Sequence, residues 1–256
     1  MTKIDVLDKG YVRLVDHMGN DLRIVNAARV SYDKASTNWG DRDASLLNFL
    51  MREGHTSVLR HASLTFECYA PLMVARQWYK HAVGSTYLED QNGWNESSRR
   101  YVTENEEFYL PRENEWRSKP ANSKQGSGEP IDLETAFHYM NYLDSYQKQG
   151  LEWYTRAMEC GIAPELARLF LPANGLYVRY YWTTSLAALI HFLNLRDESH
   201  AQYEIQLYAK ALRELAEPIF PETFKAVFGE QLGRQWVEES LGPLNKTLDE
   251  DWTGNG

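Results

Sequence analysis

Three short clusters carry side chains able to hold and activate a small polar ligand. Gln77, Lys80 and His81 are spaced three and four apart, so on a helix they share one face while Val74 and Trp78 occupy another. An amide, an ammonium and an imidazole supply donors, an acceptor and a titratable ring. The competing reading is a solvated helix face. The second cluster is Asn95-Glu96-Ser97-Ser98-Arg99-Arg100-Tyr101. Two hydroxyls, two guanidinium groups and a carboxylate in an irregular segment suit a phosphate or a sugar; the alternative is a charged loop. The third runs Asn194-Leu195-Arg196-Asp197-Glu198-Ser199-His200-Ala201-Gln202. There a helix ends, an arginine stands at the junction and a new helix begins. A helix-terminal arginine also complements the dipole without any ligand.

The elements that must position these clusters follow from periodicity and turn chemistry. Ile4–Val6 and Tyr11–Val15 read as short strands around the turn Asp8-Lys9-Gly10. Helices are expected over Asp21–Val30 and Asp41–Glu53, the latter stopped by Gly54. Ser63–Tyr69 reads as a strand, and Pro71 as the first residue of a helix reaching His81. From Val83 to Gln125 regular signals fade into one long loop. Asp132–Cys160 carries one or two helices and Pro164–Phe170 a short one. Gly175–Trp182 is aromatic and β-branched enough for a strand; Thr184 or Ser185 then caps a helix to Arg196. A further helix is expected over Ser199–Glu217, stopped by Pro218. The fold class is therefore α+β, a single domain over residues 1–243, with an acidic flexible tail over 244–256.

Composition narrows the function. The 256 residues carry a formal net charge of −9, which argues against sequence-independent nucleic-acid binding. A few local arginines still suffice for a small anion. There is no apolar signal core at the start and no apolar run near the length of a membrane span, so a cytoplasmic protein is expected. The two cysteines, Cys68 and Cys160, form no zinc or disulfide pattern and look structural. No dinucleotide-binding, P-loop, nucleophile-elbow or H-E-x-x-H motif is present. A metal-dependent nucleotide hydrolase built on His55, His61, His81 and His200 has no recognisable ligand spacing, so no metal is expected. The 16 Tyr and 8 Trp are the compositional excess, suited to interfaces and flat ligands.

Taken together, the clusters resemble the flavin-dependent thymidylate synthases. The resemblance rests on Ala27-Ala28-Arg29-Val30-Ser31-Tyr32, Phe66–Pro71, Ala75-Arg76-Gln77-Trp78, Glu96–Tyr101, Glu107-Phe108-Tyr109 and Glu165-Leu166-Ala167-Arg168. Its most specific part is Phe192-Leu193-Asn194-Leu195-Arg196 with Ser199-His200-Ala201-Gln202-Tyr203-Glu204-Ile205-Gln206. It implies a mixed sheet with packed helices, a homotetramer with sites shared between protomers, and conversion of dUMP to dTMP. Methylenetetrahydrofolate would supply the carbon, FAD the hydride and NADPH the reducing power. For dUMP it implies Gln77, Lys80, Glu96, Ser97, Ser98, Arg99, Arg100, Arg168 and Arg196, with Arg196 catalytic. For FAD it implies His55, Ser57, Lys80, His81, Ala82, Glu96, Ser185, Ala187, His191 and His200. A non-catalytic or substrate-shifted flavin- or nucleotide-binding relative is the alternative.

The sequence departs from the family's R-H-R signature, reading Lys80-His81-Ala82, and its matching Ser98 follows Ala82 by 16 positions rather than eight. The departure implies an insertion within residues 86–95, one positive charge fewer at Ala82, and a lysine without the bidentate fork at position 80. Arg60, where the family commonly has Glu, is a candidate compensation.

Overall fold

The computed structural model describes residues 2–30, 34–81, 93–97, 106–120 and 126–229. In chain order the strands and helices are β1 (Lys3–Val6), β2 (Gly10–Met18), α1 (Asp21–Arg29), α2 (Asp41–Arg52), β3 (Ser63–Pro71) and α3 (Leu72–Tyr79). Then come β4 (Gly93–Glu96), α4 (Leu133–Glu159), α5 (Pro164–Ala167), β5 (Tyr177–Ser185), α6 (Leu186–Arg196), α7 (Tyr203–Ala216) and α8 (Pro221–Phe228). The architecture is α+β. It divides into two compact units interleaved in sequence: residues 1–17 with 64–215, and 18–63 with 216–256.

The first unit is built on a five-stranded sheet of order β1-β2-β3-β5-β4. The β1–β2 and β4–β5 pairings are antiparallel. The core below β5 is aromatic because Tyr180 and Trp182 alternate inward while Arg179 and Tyr181 stay exposed. Trp78 of α3 is 1% exposed and packs on Phe192 of α6 with ring centroids 5.0 Å apart. It meets Tyr180, Trp182 and Tyr208 edge-on. Contacts of this type add about 0.5–1.5 kcal/mol per pair beyond burial. Trp78 thereby holds α3 and α6 in register, and those helices carry two of the three polar clusters.

The second unit packs α1, α2, α8 and the 3₁₀ segment Thr56–His61 around Ile24, Leu47, Met51 and Phe224. Asn20 caps α1 by accepting from the Arg23 N–H at 3.0 Å. The buried Asp21 carboxylate accepts from the backbone N–H groups of Glu222 and Thr223, each at 3.0 Å. One acidic side chain thus satisfies the exposed donors at the start of α8. Arg29 pairs with the buried Asp43 and Ser36. That pairing holds Asp43 below the usual carboxylate range although burial alone works to raise it. The arginine of the Ala27–Tyr32 motif is therefore engaged within its own unit.

Most element expectations hold, with four differences. Pro71 closes β3 and precedes the helix instead of opening it. Asp132–Cys160 is one continuous helix, α4, capped by the Asp132 side chain. The last long helix starts at Tyr203, not Ser199, because Glu198–Ala201 folds as a turn. Within the expected loop, Gly93–Glu96 is an edge strand. Its Trp94 stacks on Tyr180 at 3.9 Å between centroids, so an aromatic contact orders part of the inserted segment. The tail from 244 lies outside the described residues.

Candidate active site

The strongest convergence of polar groups lies where α3 ends against the end of α6. Arg196 donates its Nε–H to Nε2 of His81 at 3.0 Å. His81 also presents its ring edge-on to Phe192, centroids 5.0 Å apart, and lies 6.4 Å from the His191 ring. Burial, then the Arg196 charge, then His191 push the His81 pKa down to about 4. His191 is lowered by burial alone. Both imidazoles are neutral at pH 7, so His81 can accept at Nε2 and carry its proton on Nδ1. Burial also lowers the Arg196 pKa, without removing a charge that starts this high.

Local structure fixes Arg196 in this place. α6 is capped by Ser185, whose buried hydroxyl accepts from the Ala188 N–H at 3.1 Å. It ends where the Asp197 N–H returns to the Leu193 carbonyl at 2.8 Å. Asp197 is paired with Arg213 of α7 at 3.2 Å. The turn after Arg196 is anchored on both sides, so the guanidinium is carried by rigid elements.

Gln77 lies one turn before His81. Its Nε2 donates to Gln202 Oε1, and Gln202 Nε2 donates to Glu204 Oε2 at 2.7 Å. Gln202 and Glu204 lie inside the most specific block of the sequence, yet their residue types alone give them no role there. The signal was their place two and four residues after His200, on the far side of the same turn.

The remaining expected residues are more dispersed. Lys80 is exposed at the end of α3, with its backbone N–H on the Gln77 carbonyl. Glu96 is exposed on β4, and Ser97 donates its N–H to the Arg179 carbonyl at 2.8 Å. Ser185 and Ala187 stand at the opposite end of α6 from Arg196, about 15 Å away at the helical rise. Arg168 lies on the exposed turn Arg168–Phe170. His200 is exposed, 3.8 Å from Glu198. His55 and Ser57 belong to the second unit, where His55 stacks on Phe49. Ala82, Ser98, Arg99 and Arg100 lie outside the described residues. Among the described residues no group of three or more His, Cys, Asp or Glu is placed to hold a metal. Cys68 is fully buried with its thiol pushed up by burial, and Cys160 is exposed at the end of α4.

Comparison with known proteins decides what this geometry belongs to. The model of the family described as "Thymidylate synthase complementing protein" matches residues 13–222, across both units. The chain belongs to the flavin-dependent thymidylate synthase family. It is 41% identical to a flavin-dependent thymidylate synthase of Thermotoga neapolitana, covering 88% of this chain and 93% of that one. It is also 41% identical to a flavin-dependent thymidylate synthase of Thermus thermophilus, covering 90% of this chain and 79% of the relative. Among solved structures, the UMP/dUMP methylase PolB from Streptomyces cacaoi bound with 5-Br dUMP matches with a TM-score of 0.74 at 30% identity, over 88% of this chain and 97% of that one. The activity of that family is flavin-dependent thymidylate synthesis.

The residues present fit a flavin. Its ring system offers a flat face and a row of carbonyl and ring-nitrogen acceptors. His81 and His191 bring two neutral rings to one place. Asn194, on the same helix as His191, has a buried Nδ2 with no hydrogen-bond partner among the described residues. A buried amide donor of this kind calls for an acceptor.

Proposed function

We propose that the chain converts dUMP to dTMP with methylenetetrahydrofolate as carbon donor, at a site centred on Arg196 and His81. The observation that carries this reading is the Arg196–His81 hydrogen bond. It uses the Nε edge of the guanidinium and holds its plane in one orientation. Uracil becomes nucleophilic at C5 as negative charge develops along its N3–C4=O edge. A fixed guanidinium facing that edge stabilises the charge as it forms. No protein nucleophile is needed. Gln77, held by Gln202 and Glu204, orients the nucleotide. Lys80, Glu96, Ser97, Ser98, Arg99, Arg100 and Arg168 supply its phosphate and sugar contacts. Bound FAD, reduced by NADPH, supplies the hydride. His81, His191, Asn194, Lys80 and His200 hold the flavin.

The dispersed positions of Arg168 and Lys80 support a homotetramer with sites shared between protomers. An exposed stripe on α4 supports it independently. Tyr139, Tyr142 and Trp153 are 55%, 68% and 49% exposed, and Leu169 beside α5 is 78% exposed. Stripes rich in Tyr and Trp are the composition of interface cores. The two free cysteines, without a disulfide, support a cytoplasmic location.

The test is product formation by the purified protein supplied with dUMP, methylenetetrahydrofolate, FAD and NADPH. Appearance of dTMP with oxidation of NADPH is expected. A flavin-loaded protein that oxidises NADPH yet forms no dTMP would overturn the reading in favour of a non-catalytic or substrate-shifted relative.

A further inference from the structure

The edge strand β4 carries Glu96 and leads into Ser97, two of the proposed nucleotide contacts. Its sequence, Gly-Trp-Asn-Glu, has little strand preference of its own, since glycine and asparagine are depleted in strands. A strand this short on a sheet edge is held by what its side chains meet. Two devices hold it, one on each face of the sheet.

On one face, Gly93 lies opposite Thr183 of β5. A Cβ on Gly93 would stand 2.8 Å from the Thr183 Cβ, closer than side-chain atoms approach. Thr183 is not free to turn aside, because its hydroxyl shares a hydrogen bond of 3.0 Å with the hydroxyl of Thr65 on β3. Glycine at this position lets β4 seat fully against β5.

On the other face, Trp94 lies against two tyrosines. Its ring stacks on Tyr180 of β5, with centroids 3.9 Å apart and planes 16° apart. It also meets Tyr79 of α3 edge-on, with centroids 5.5 Å apart. Stacked and edge-to-face pairs are the favoured arrangements of aromatic rings. Tyr79 immediately precedes Lys80. Trp94 therefore ties β4 to the end of α3 as well as to the sheet.

Residues two apart on a strand share a face. Glu96 thus lies on the face of Trp94, the one met by Tyr79. In register it stands opposite Tyr180. Burial raises the Tyr180 phenol pKa most, then Cys68 and Tyr208, and the Glu96 carboxylate adds to the same shift, which places its charge near that ring. Ser97 continues the ladder by donating its N–H to the Arg179 carbonyl at 2.8 Å. One indole stands where the polar cluster ending α3 meets the polar cluster ending β4.

We propose that Trp94 is a positioning residue for nucleotide binding: held between Tyr180 and Tyr79, it sets Glu96 and Ser97 against the end of α3. The inference rests on the reading of Glu96 and Ser97 as dUMP contacts. Sugar and phosphate contacts are made alike in the bound substrate and in the transition state, so loosening them raises KM and leaves kcat.

The experiment is steady-state dTMP formation at varied dUMP, with calorimetric titration of dUMP, on the flavin-loaded full chain. W94A is expected to raise the KM and Kd for dUMP about tenfold, the loss of one charge-assisted hydrogen bond, with kcat per folded molecule within about twofold of the wild type. W94F keeps a ring between the tyrosines and should bring KM and Kd back to within about threefold. G93A leaves Trp94 intact but lifts the strand from β5, so it should raise KM and Kd as W94A does. Thermal unfolding of the same preparations gives the folded fraction. A lower melting temperature of W94A with wild-type KM and Kd would make Trp94 merely structural and overturn the proposal. So would W94F binding dUMP as weakly as W94A, or a fall confined to kcat. A wild type that binds no dUMP would overturn the reading of the site itself, and this inference with it.

Discussion

Arg196 and His81, 115 positions apart in sequence, share one hydrogen bond of 3.0 Å, from the arginine Nε–H to the imidazole Nε2. The bond requires a neutral histidine. It also leaves the two Nη groups without a hydrogen-bond partner among the described residues, where a ligand can meet them. The third residue of the signature, Ala82, cannot supply the charge of an arginine. Among the described residues, the cation that meets His81 is Arg196.

Arg196→Ala is expected to lower dTMP formation by about 10²–10³, the usual loss for one well-placed electrostatic donor. Arg196→Lys should recover little, because an ammonium cannot reproduce the planar fork or the bond to His81. A helix-terminal cation contributes only about 0.3–1 kcal/mol through the dipole, so the melting temperature should barely move. Turnover and melting curves on the same preparations check this; near-normal turnover removes the catalytic role.

The depressed pKa of His81 sets a pH dependence. Its folded value of about 4 lies below the ordinary 6.5, so the unfolded chain takes up the proton first as pH falls. The contribution is fully present above pH 6.5 and is lost as pH falls from there through 4. Stability of the wild type should fall in this window more steeply than that of His81→Asn. Denaturant midpoints measured at successive pH values check it; parallel curves would show that His81 is not held neutral.

Lys80→Ala should weaken flavin or dUMP binding and release flavin on gel filtration, because it removes a cation beside a signature already lacking one. Ala82→Arg, restoring the family's residue, should be tolerated or tighten the flavin. Retention of both ligands by Lys80→Ala would make Lys80 part of a solvated helix end.

Trp94 tests the inserted segment. Its stacking on Tyr180 ties β4 to the sheet. Trp94→Ala should cost about 1–3 kcal/mol, less than a fully buried aromatic because Trp94 is half-buried. Thermal unfolding measures it. An unchanged melting point would mean that the edge strand adds nothing to stability.

Assembly can be read by light scattering. A mass near four times the 29.7 kDa chain is expected. Tyr142→Glu or Leu169→Glu should shift the population to smaller species, since each places a charge on an exposed apolar face. A fully active monomer would remove the shared-site picture.

The sequence by itself determined most of the elements, because their signals are local. Asn20, Asp132 and Ser185 cap helices through their own side chains, and Tyr180 and Trp182 alternate inward along β5. It also determined the family and the candidacy of Arg196, which sits in a run of residues too specific to be shared by chance. Tertiary structure decided the rest. The strand at Gly93–Glu96 has little intrinsic strand preference and exists because Trp94 finds Tyr180 across the sheet. That His81 is an acceptor rather than a cation depends on burial and on Arg196, neither visible in its neighbours. Arg29, equally prominent in a family motif, is engaged by Asp43, while Arg196 meets a neutral imidazole. Spacing cannot distinguish two such arginines; only the chain folded around them says which one meets a carboxylate and which an imidazole.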